Sequence, residues 1–287
     1  MSGDIDAPWV RLELTSRPEA ARLVRSMSTA AGEALGFDPE LLSDVNTAVT
    51  EACNNVILHA YGAAAGPMAV ELRANADAVE ARVCDQGSGI RGAVPDHDGM
   101  KVGLALMSAV TDRVEFITLP DGGTEVRLSF RASAGRPENP WPADDRSTEG
   151  SSAWQAELHS GLNGDVVLTV SPVPLLAPLL GRIGRALAPS AGFSLQRCYD
   201  VFRLSDALGA HAEQAANSRA ISVALGARAS RLEFALAPLR MGTSAHLEQR
   251  GAPPRADVLA ALTEEVAVVA RDGHETLRVS MRDPLRA

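Results

Sequence analysis

The sequence predicts an α+β fold that occurs twice along the chain. Two observations carry this reading: strand-like runs arrive as hairpin pairs interleaved with segments of helical periodicity, and a similar order of elements returns in the second half. With 287 residues, 46% of them hydrophobic and 22% charged, the chain has apolar material for two cores. The net charge of -9, with no cluster of Lys or Arg, argues against direct nucleic-acid binding through phosphate contacts. Cys53, Cys84 and Cys198 are scattered, form neither a metal-ligand spacing nor a disulfide framework, and suit a reducing cytoplasm. The N-terminus has no charged-then-apolar leader, and no apolar run reaches the roughly 18 residues that span a bilayer, so no membrane anchor is expected.

Residues 10–14 alternate apolar and polar side chains as a half-buried strand does. Ser16-Arg17-Pro18-Glu19 reads as a cap with proline in the first turn of a helix over residues 20–34. Gly36-Phe37-Asp38-Pro39 breaks that helix, and the spacing of Leu41, Val45, Ala48, Val49, Ala52 and Val56 predicts a longer one that Gly62 and Gly66-Pro67 end. Residues 68–74 and 78–84 are strands joined by the turn residues Asn75-Ala76-Asp77. The second strand runs into Asp85-Gln86-Gly87-Ser88-Gly89-Ile90, and residues 91–100 read as a polar loop. A helix from Val102 to about Val110, with Gly103 at its N-terminal end, precedes strands at 114–118 and 125–130 around Asp121-Gly122-Gly123.

Several of these residues suit a nucleotide site. Glu51 and Asn55 are one helical turn apart, so a carboxylate and an amide oxygen share a face; alone, that pair is equally the polar face of a solvated helix. Asp85 at a strand end offers a fixed acceptor, and Gly87 and Gly89 let the backbone turn sharply, as glycines in a plain turn also do. A helix starting near Gly103 would turn free N–H groups toward phosphates. His97 between Asp96 and Asp98 lacks further ligands at tetrahedral spacing and is disfavoured as a metal site.

Taken together, residues 8–130 resemble the anti-sigma-factor serine/threonine kinases of the GHKL (histidine-kinase-like) ATPase superfamily. The resemblance rests on Glu51-Ala-Cys-Asn-Asn55 with His59-Ala60-Tyr61, on Asp85-x-Gly87-x-Gly89-Ile90, on Gly103-Leu104-x-Leu106-Met107, and on Gly123-Thr124. It implies a two-layer α/β sandwich that binds ATP and Mg²⁺. Asn55 would hold the metal, Glu51 would act as general base toward a serine or threonine hydroxyl, and Asp85 would accept the adenine amino hydrogen. Gly87, Gly89 and Ile90 would line the base, Gly103 and Leu104 the phosphates, and Thr124 would make a second contact near the adenine. His59 and Tyr61 fit either packing or ligand contact. One departure stands out: Lys101 occupies the first glycine of the family's Gly-x-Gly-Leu loop, where it could contact a phosphate directly or reflect an altered lid.

Residues 131–152, rich in proline and then polar and acidic, read as a linker in which Trp141 either docks or is exposed. Residues 153–287 then echo residues 1–130 at a shift of 152 residues, which sets His211-Ala212 on His59-Ala60 and Thr276 on Thr124. Strands are expected at 166–170, 221–225 and 232–236, and helices after Pro172, from about Ser205, and at 258–263. The same shift sets Arg203 on Glu51, Ala207 on Asn55 and Ala237 on Asp85, which predicts a degenerate, pseudo-ATPase copy. The expected function is a cytoplasmic kinase of a partner-switching system, which phosphorylates an anti-anti-sigma (STAS) protein and sequesters a sigma factor in stress-response transcription. The alternatives are a non-catalytic ATP-binding module that sequesters a partner, and an ATPase in which Glu51 activates water. A homodimer, or an intramolecular pseudo-dimer of the two halves, follows from the same resemblance.

Overall fold

The computed structural model describes residues 7–75, 78–88, 98–120, 122–131, 162–244, 247 and 254–283, with the backbone alone described for 98–101 and 254–257. The chain divides into two compact units, Met1–Asp145 and Arg146–Ala287.

In the first unit, β1 (Trp9–Thr15), β2 (Pro67–Ala74), β3 (Ala78–Asp85), β4 (Arg113–Thr118) and β5 (Thr124–Arg131) form an antiparallel sheet in the order β4-β5-β3-β2-β1. Alternation sorts the two faces of this sheet. Val10, Leu12, Val70, Leu72, Val83, Val126 and their neighbours two residues away are buried toward the helices. The opposite face carries Arg and Glu pairs, including Arg11–Glu13 at 2.6 Å, Arg73–Glu71 at 3.3 Å and Arg127–Glu125. The helical layer consists of α1 (Ala20–Ala34) against β1 and β2, α2 (Pro39–Asn55) against β3 and β5, and α3 (Asp98–Val110) against α2. The first unit is thus the expected two-layer α+β sandwich.

Local chemistry changes the cap of one helix and moves the start of another. Ser16 does not cap α1: its N–H and hydroxyl are both engaged by Gly66, with Ser16 N–H on Gly66 O at 2.8 Å and Gly66 N–H on Ser16 Oγ at 3.0 Å. The helix still begins at Ala20 as expected, but with Glu19 in the cap position and making no side-chain cap bond. Helix α3 begins at Asp98 rather than Val102, because Met100 and Lys101 are good helix formers and extend it by a turn. After Asn55 the chain continues as a π-helical turn, Val56–Ala60, which an unbroken apolar period does not announce.

The second unit holds β6 (Val166–Ser171), α4 (Leu176–Leu187), α5 (Leu195–Ala215), β7 (Ile221–Arg228), β8 (Arg231–Leu239), α6 (Pro254–Leu262), β9 (Glu265–Arg271) and β10 (His274–Arg282). Its strands follow the order β6-β7-β8-β10-β9, so it has the element order and strand order of the first unit. Helix α5 starts ten residues before the expected Ser205, because the Ser194 hydroxyl caps it by accepting the Arg197 N–H at 3.4 Å. Most of the expected linker, with Trp141, lies outside the described residues.

Candidate active site

The geometry of the site starts at the N-terminus of α2. The Asp38 carboxylate accepts the N–H groups of Glu40 and Leu41 at 3.0 and 2.9 Å, and Pro39 presets the first turn. A helix registered there buries Val45, Ala48, Val49, Ala52 and Cys53 in the core. Glu51 and Asn55, both half-buried, are left pointing toward α3. A Cβ added to Gly103 would stand 3.3 Å from Glu51 Oε2 and 3.8 Å from Asn55 Oδ1, so both oxygens converge on a glycine of α3. This is the pair that sequence spacing singles out, brought to one point.

Gly103 reaches that point by a different route from the expected one. It lies inside α3, five residues past Asp98, where its N–H belongs to the helix and is not free for an anion. Its contribution is the missing side chain. Lys101 lies in the same helix, and Leu104 is half-buried on it. Gly89, Ile90 and the His97 cluster lie outside the described residues.

At the other end, Asp85 is buried where β3 ends. Its Oδ1 accepts the Gly87 N–H at 2.8 Å, and the Thr124 N–H also donates to the carboxylate. Burial pushes the Asp85 carboxyl above its usual range, and the two N–H groups partly offset this. Gly123 (φ +92°) permits the approach: a Cβ there would lie 2.0 Å from Asp85 O. Gly87 lets the loop pack against the end of the helix: a Cβ there would lie 2.2 Å from Ala60 O, and the Ser88 N–H donates to that same oxygen at 3.0 Å.

Tyr61 is a strut. Its hydroxyl donates to Pro67 O at 2.5 Å and accepts the Gln86 N–H at 2.7 Å, while His59 is exposed. Ala60 and Ser16 are the residues of this region whose roles sequence reasoning missed, and Tyr61, open in the sequence between packing and ligand contact, makes packing contacts here. For Tyr61 the available signal was its place at the end of the His-Ala-Tyr run.

These residues fit the nucleotide that the fold family implies. A carboxylate has about four lone-pair directions, and two N–H groups leave Asp85 with acceptor capacity for an exocyclic amine. The Asn55 amide oxygen is a hard ligand of the kind Mg²⁺ takes one or two at a time alongside phosphates. Among the described residues there is no group of three or more His, Cys, Asp or Glu placed to hold a metal.

The matching corner of the second unit is filled. There Leu239 of β8 pairs with Glu275 of β10, and Glu275, 4% exposed, accepts the N–H groups of Gly242 at 2.6 Å and Ser244 at 2.9 Å. Burial works to raise the Glu275 carboxyl, but these N–H groups and the Ser244 and Thr243 hydroxyls hold it below its ordinary value. His211 Nε2 lies 3.0 Å from Ser244 Oγ within the same buried cluster. The cap residues Asp38 and Ser194 are 156 apart, and aligning on them replaces the shift of 152 within this helix. Ala207 then stands opposite Glu51 and His211 opposite Asn55, so the conclusion that both reactive side chains are missing is unchanged.

The chain is similar to known proteins chiefly over its first half. Residues 14–130 match the family described as the histidine kinase-like ATPase domain. "Serine-protein kinase RsbW" of Bacillus licheniformis is 28% identical over 139 residues, covering 43% of this chain and 86% of the relative. "Anti-sigma F factor" of Pasteuria penetrans is 27% identical over 139 residues, covering 44% and 93%. Among solved structures, the RsbU and RsbW domains of a Mycobacterium tuberculosis protein are 9% identical at a TM-score of 0.25, covering 98% of this chain and 87% of that one. No helix among the described residues is long and apolar enough to cross a membrane. Residues 14–130 are thus similar to the histidine kinase-like ATPase domain family, and the first half of the chain is similar to these serine-protein kinases and anti-sigma factors.

Proposed function

We propose that this chain is an ATP-dependent serine/threonine kinase and anti-sigma factor of a partner-switching system, phosphorylating an anti-anti-sigma (STAS) protein and sequestering a sigma factor. The observation that carries it is the convergence of Glu51 Oε2 and Asn55 Oδ1 beside Gly103, in the domain whose other end holds the buried acceptor Asp85. Asn55 holds Mg²⁺ through its amide oxygen, and the bound ion neutralises charge on the phosphates. Asp85 accepts the adenine amino hydrogen and so selects ATP, with Thr124 near the same edge. Glu51 accepts the proton of an incoming serine or threonine hydroxyl and orients its oxygen toward the γ-phosphate. Lys101 and Leu104 on α3 border the phosphate end. The second unit is a degenerate copy without nucleotide chemistry, because Glu275 and His211 occupy the corresponding corner and Ala207 stands where the base would be.

The test is incubation of the chain with Mg²⁺, γ-labelled ATP and a candidate STAS partner. Label on the partner supports the kinase. Free labelled phosphate without transfer indicates an ATPase in which Glu51 activates water, and nucleotide binding with neither product indicates a non-catalytic regulatory module.

A further inference from the structure

We propose that Tyr61 is a positioning residue for nucleotide-base selection, acting through the backbone of the Asp85 loop. The inference rests on reading Asp85 as the adenine acceptor. Three contacts carry it. The Tyr61 hydroxyl accepts the N–H of Gln86, the residue between Asp85 and Gly87, at 2.7 Å. The neighbouring Gly87 N–H in turn holds Asp85 Oδ1 at 2.8 Å. Fixing the peptide at Gln86 therefore fixes the turn that orients the carboxylate.

The other side of the strut is anchored to the sheet. The same hydroxyl donates to the carbonyl of Pro67, the first residue of β2, which pairs with Thr15 of β1. The ring occupies the space that a side chain at residue 66 would need: a Cβ on Gly66 would lie 2.2 Å from Tyr61 Cε1. Gly66 is itself bonded on both its N–H and its carbonyl to Ser16. The hydroxyl keeps its proton at neutral pH, since burial and the nearby Asp85 charge raise its pKa against the Gln86 bond, so it donates and accepts at once.

This arrangement links the two ends of the nucleotide site. Glu51 and Asn55 lie on α2, the π-helical turn follows directly, and Ala60 O and Tyr61 Oη grip Ser88 and Gln86 of the base loop. The distance from the metal-binding end to the base-binding end is thereby set by Tyr61 rather than by a flexible loop.

The experiment is calorimetric titration of the full chain with Mg-ATP and Mg-GTP, comparing wild type, Tyr61→Phe and Ser16→Ala. Tyr61→Phe keeps the ring and removes the hydroxyl. The expected result is an ATP affinity lowered about tenfold, a GTP affinity unchanged within about twofold, and wild-type discrimination in Ser16→Ala. Equal loss for both nucleotides, or no loss for either, overturns the proposal and leaves a purely structural tyrosine. Amide exchange in the wild type gives a second readout that no folding defect affects: ATP slows exchange of the Gln86 N–H and GTP does not, whereas equal protection by both overturns the proposal. A wild-type chain that binds no ATP at all removes the Asp85 reading, and the Tyr61 proposal with it.

Discussion

Replacing Gly103 with alanine separates stability from chemistry in this site. Gly103 lies inside α3, where glycine costs about 0.8–1.0 kcal/mol relative to alanine. The new methyl would stand 3.3 Å from Glu51 Oε2, closer than the roughly 3.5–4.0 Å of an ordinary contact. That oxygen is the tip of a flexible side chain, so the carboxylate swings aside by a few tenths of an ångström at little cost. The fold should therefore gain up to about 1 kcal/mol, a rise in Tm of roughly 3 °C for a unit of this size. The chemistry should suffer, because displacing a reacting group by about 1 Å costs roughly 100-fold in rate, and a shift of a few tenths of an ångström costs on the order of tenfold. The assay is a thermal melt followed by single-turnover transfer from labelled ATP, with the expected outcome of equal or higher Tm and at least tenfold slower transfer. An alanine variant that transfers phosphate at the wild-type rate would refute the placement of Gly103 against the catalytic pair.

Two further outcomes follow from the same structure. On the proposed reading, ATP binding requires an ionised Asp85, whose folded pKa is raised by burial. Affinity for ATP should therefore fall as pH drops through a range above that of an exposed aspartate, while GTP affinity does not follow. The sign for stability is opposite: ionising the buried group costs stability, a cost relieved as pH falls through the raised pKa. Asp85→Asn should abolish both the ATP preference and its pH dependence, and a flat wild-type binding profile would contradict the assignment. Second, on the proposed reading, in which the Glu275 and His211 cluster takes the place of a second nucleotide site, titration of the full chain should saturate at one ATP per chain. Two equivalents would contradict the degenerate reading of the second unit.

The order of elements was legible because the apolar spacing is clean: α2, both hairpins of the first unit, and strands β6, β7 and β8 of the second all follow from local pattern, whereas the cap at Asp38 was read only as a helix break. So was the pairing of Glu51 with Asn55, since a helix fixes side chains one turn apart. What escaped notice depends on contacts between segments far apart in the chain. Ser16 looks like a cap until Gly66, 50 residues away, is seen to engage it. The π-helical turn at Val56–Ala60 inserts a residue without disturbing the apolar pattern enough to be read. The early start of α5 was hidden because Leu195 and Tyr199 are exposed, at 84% and 65%, which breaks the expected link between apolar and buried. A single shift of 152 likewise could not register two helices whose caps are 156 apart.

The central claim is that Glu51 supplies the chemistry and Asn55 and Asp85 the binding. The most direct measurement compares wild type with Glu51→Ala for Mg-ATP affinity by titration and for transfer of labelled phosphate to a candidate STAS partner. The account predicts that Glu51→Ala binds Mg-ATP within a few-fold of wild type and transfers at least 100-fold more slowly, a loss of about 2.7 kcal/mol of transition-state stabilisation. Transfer by Glu51→Ala at the wild-type rate would contradict it.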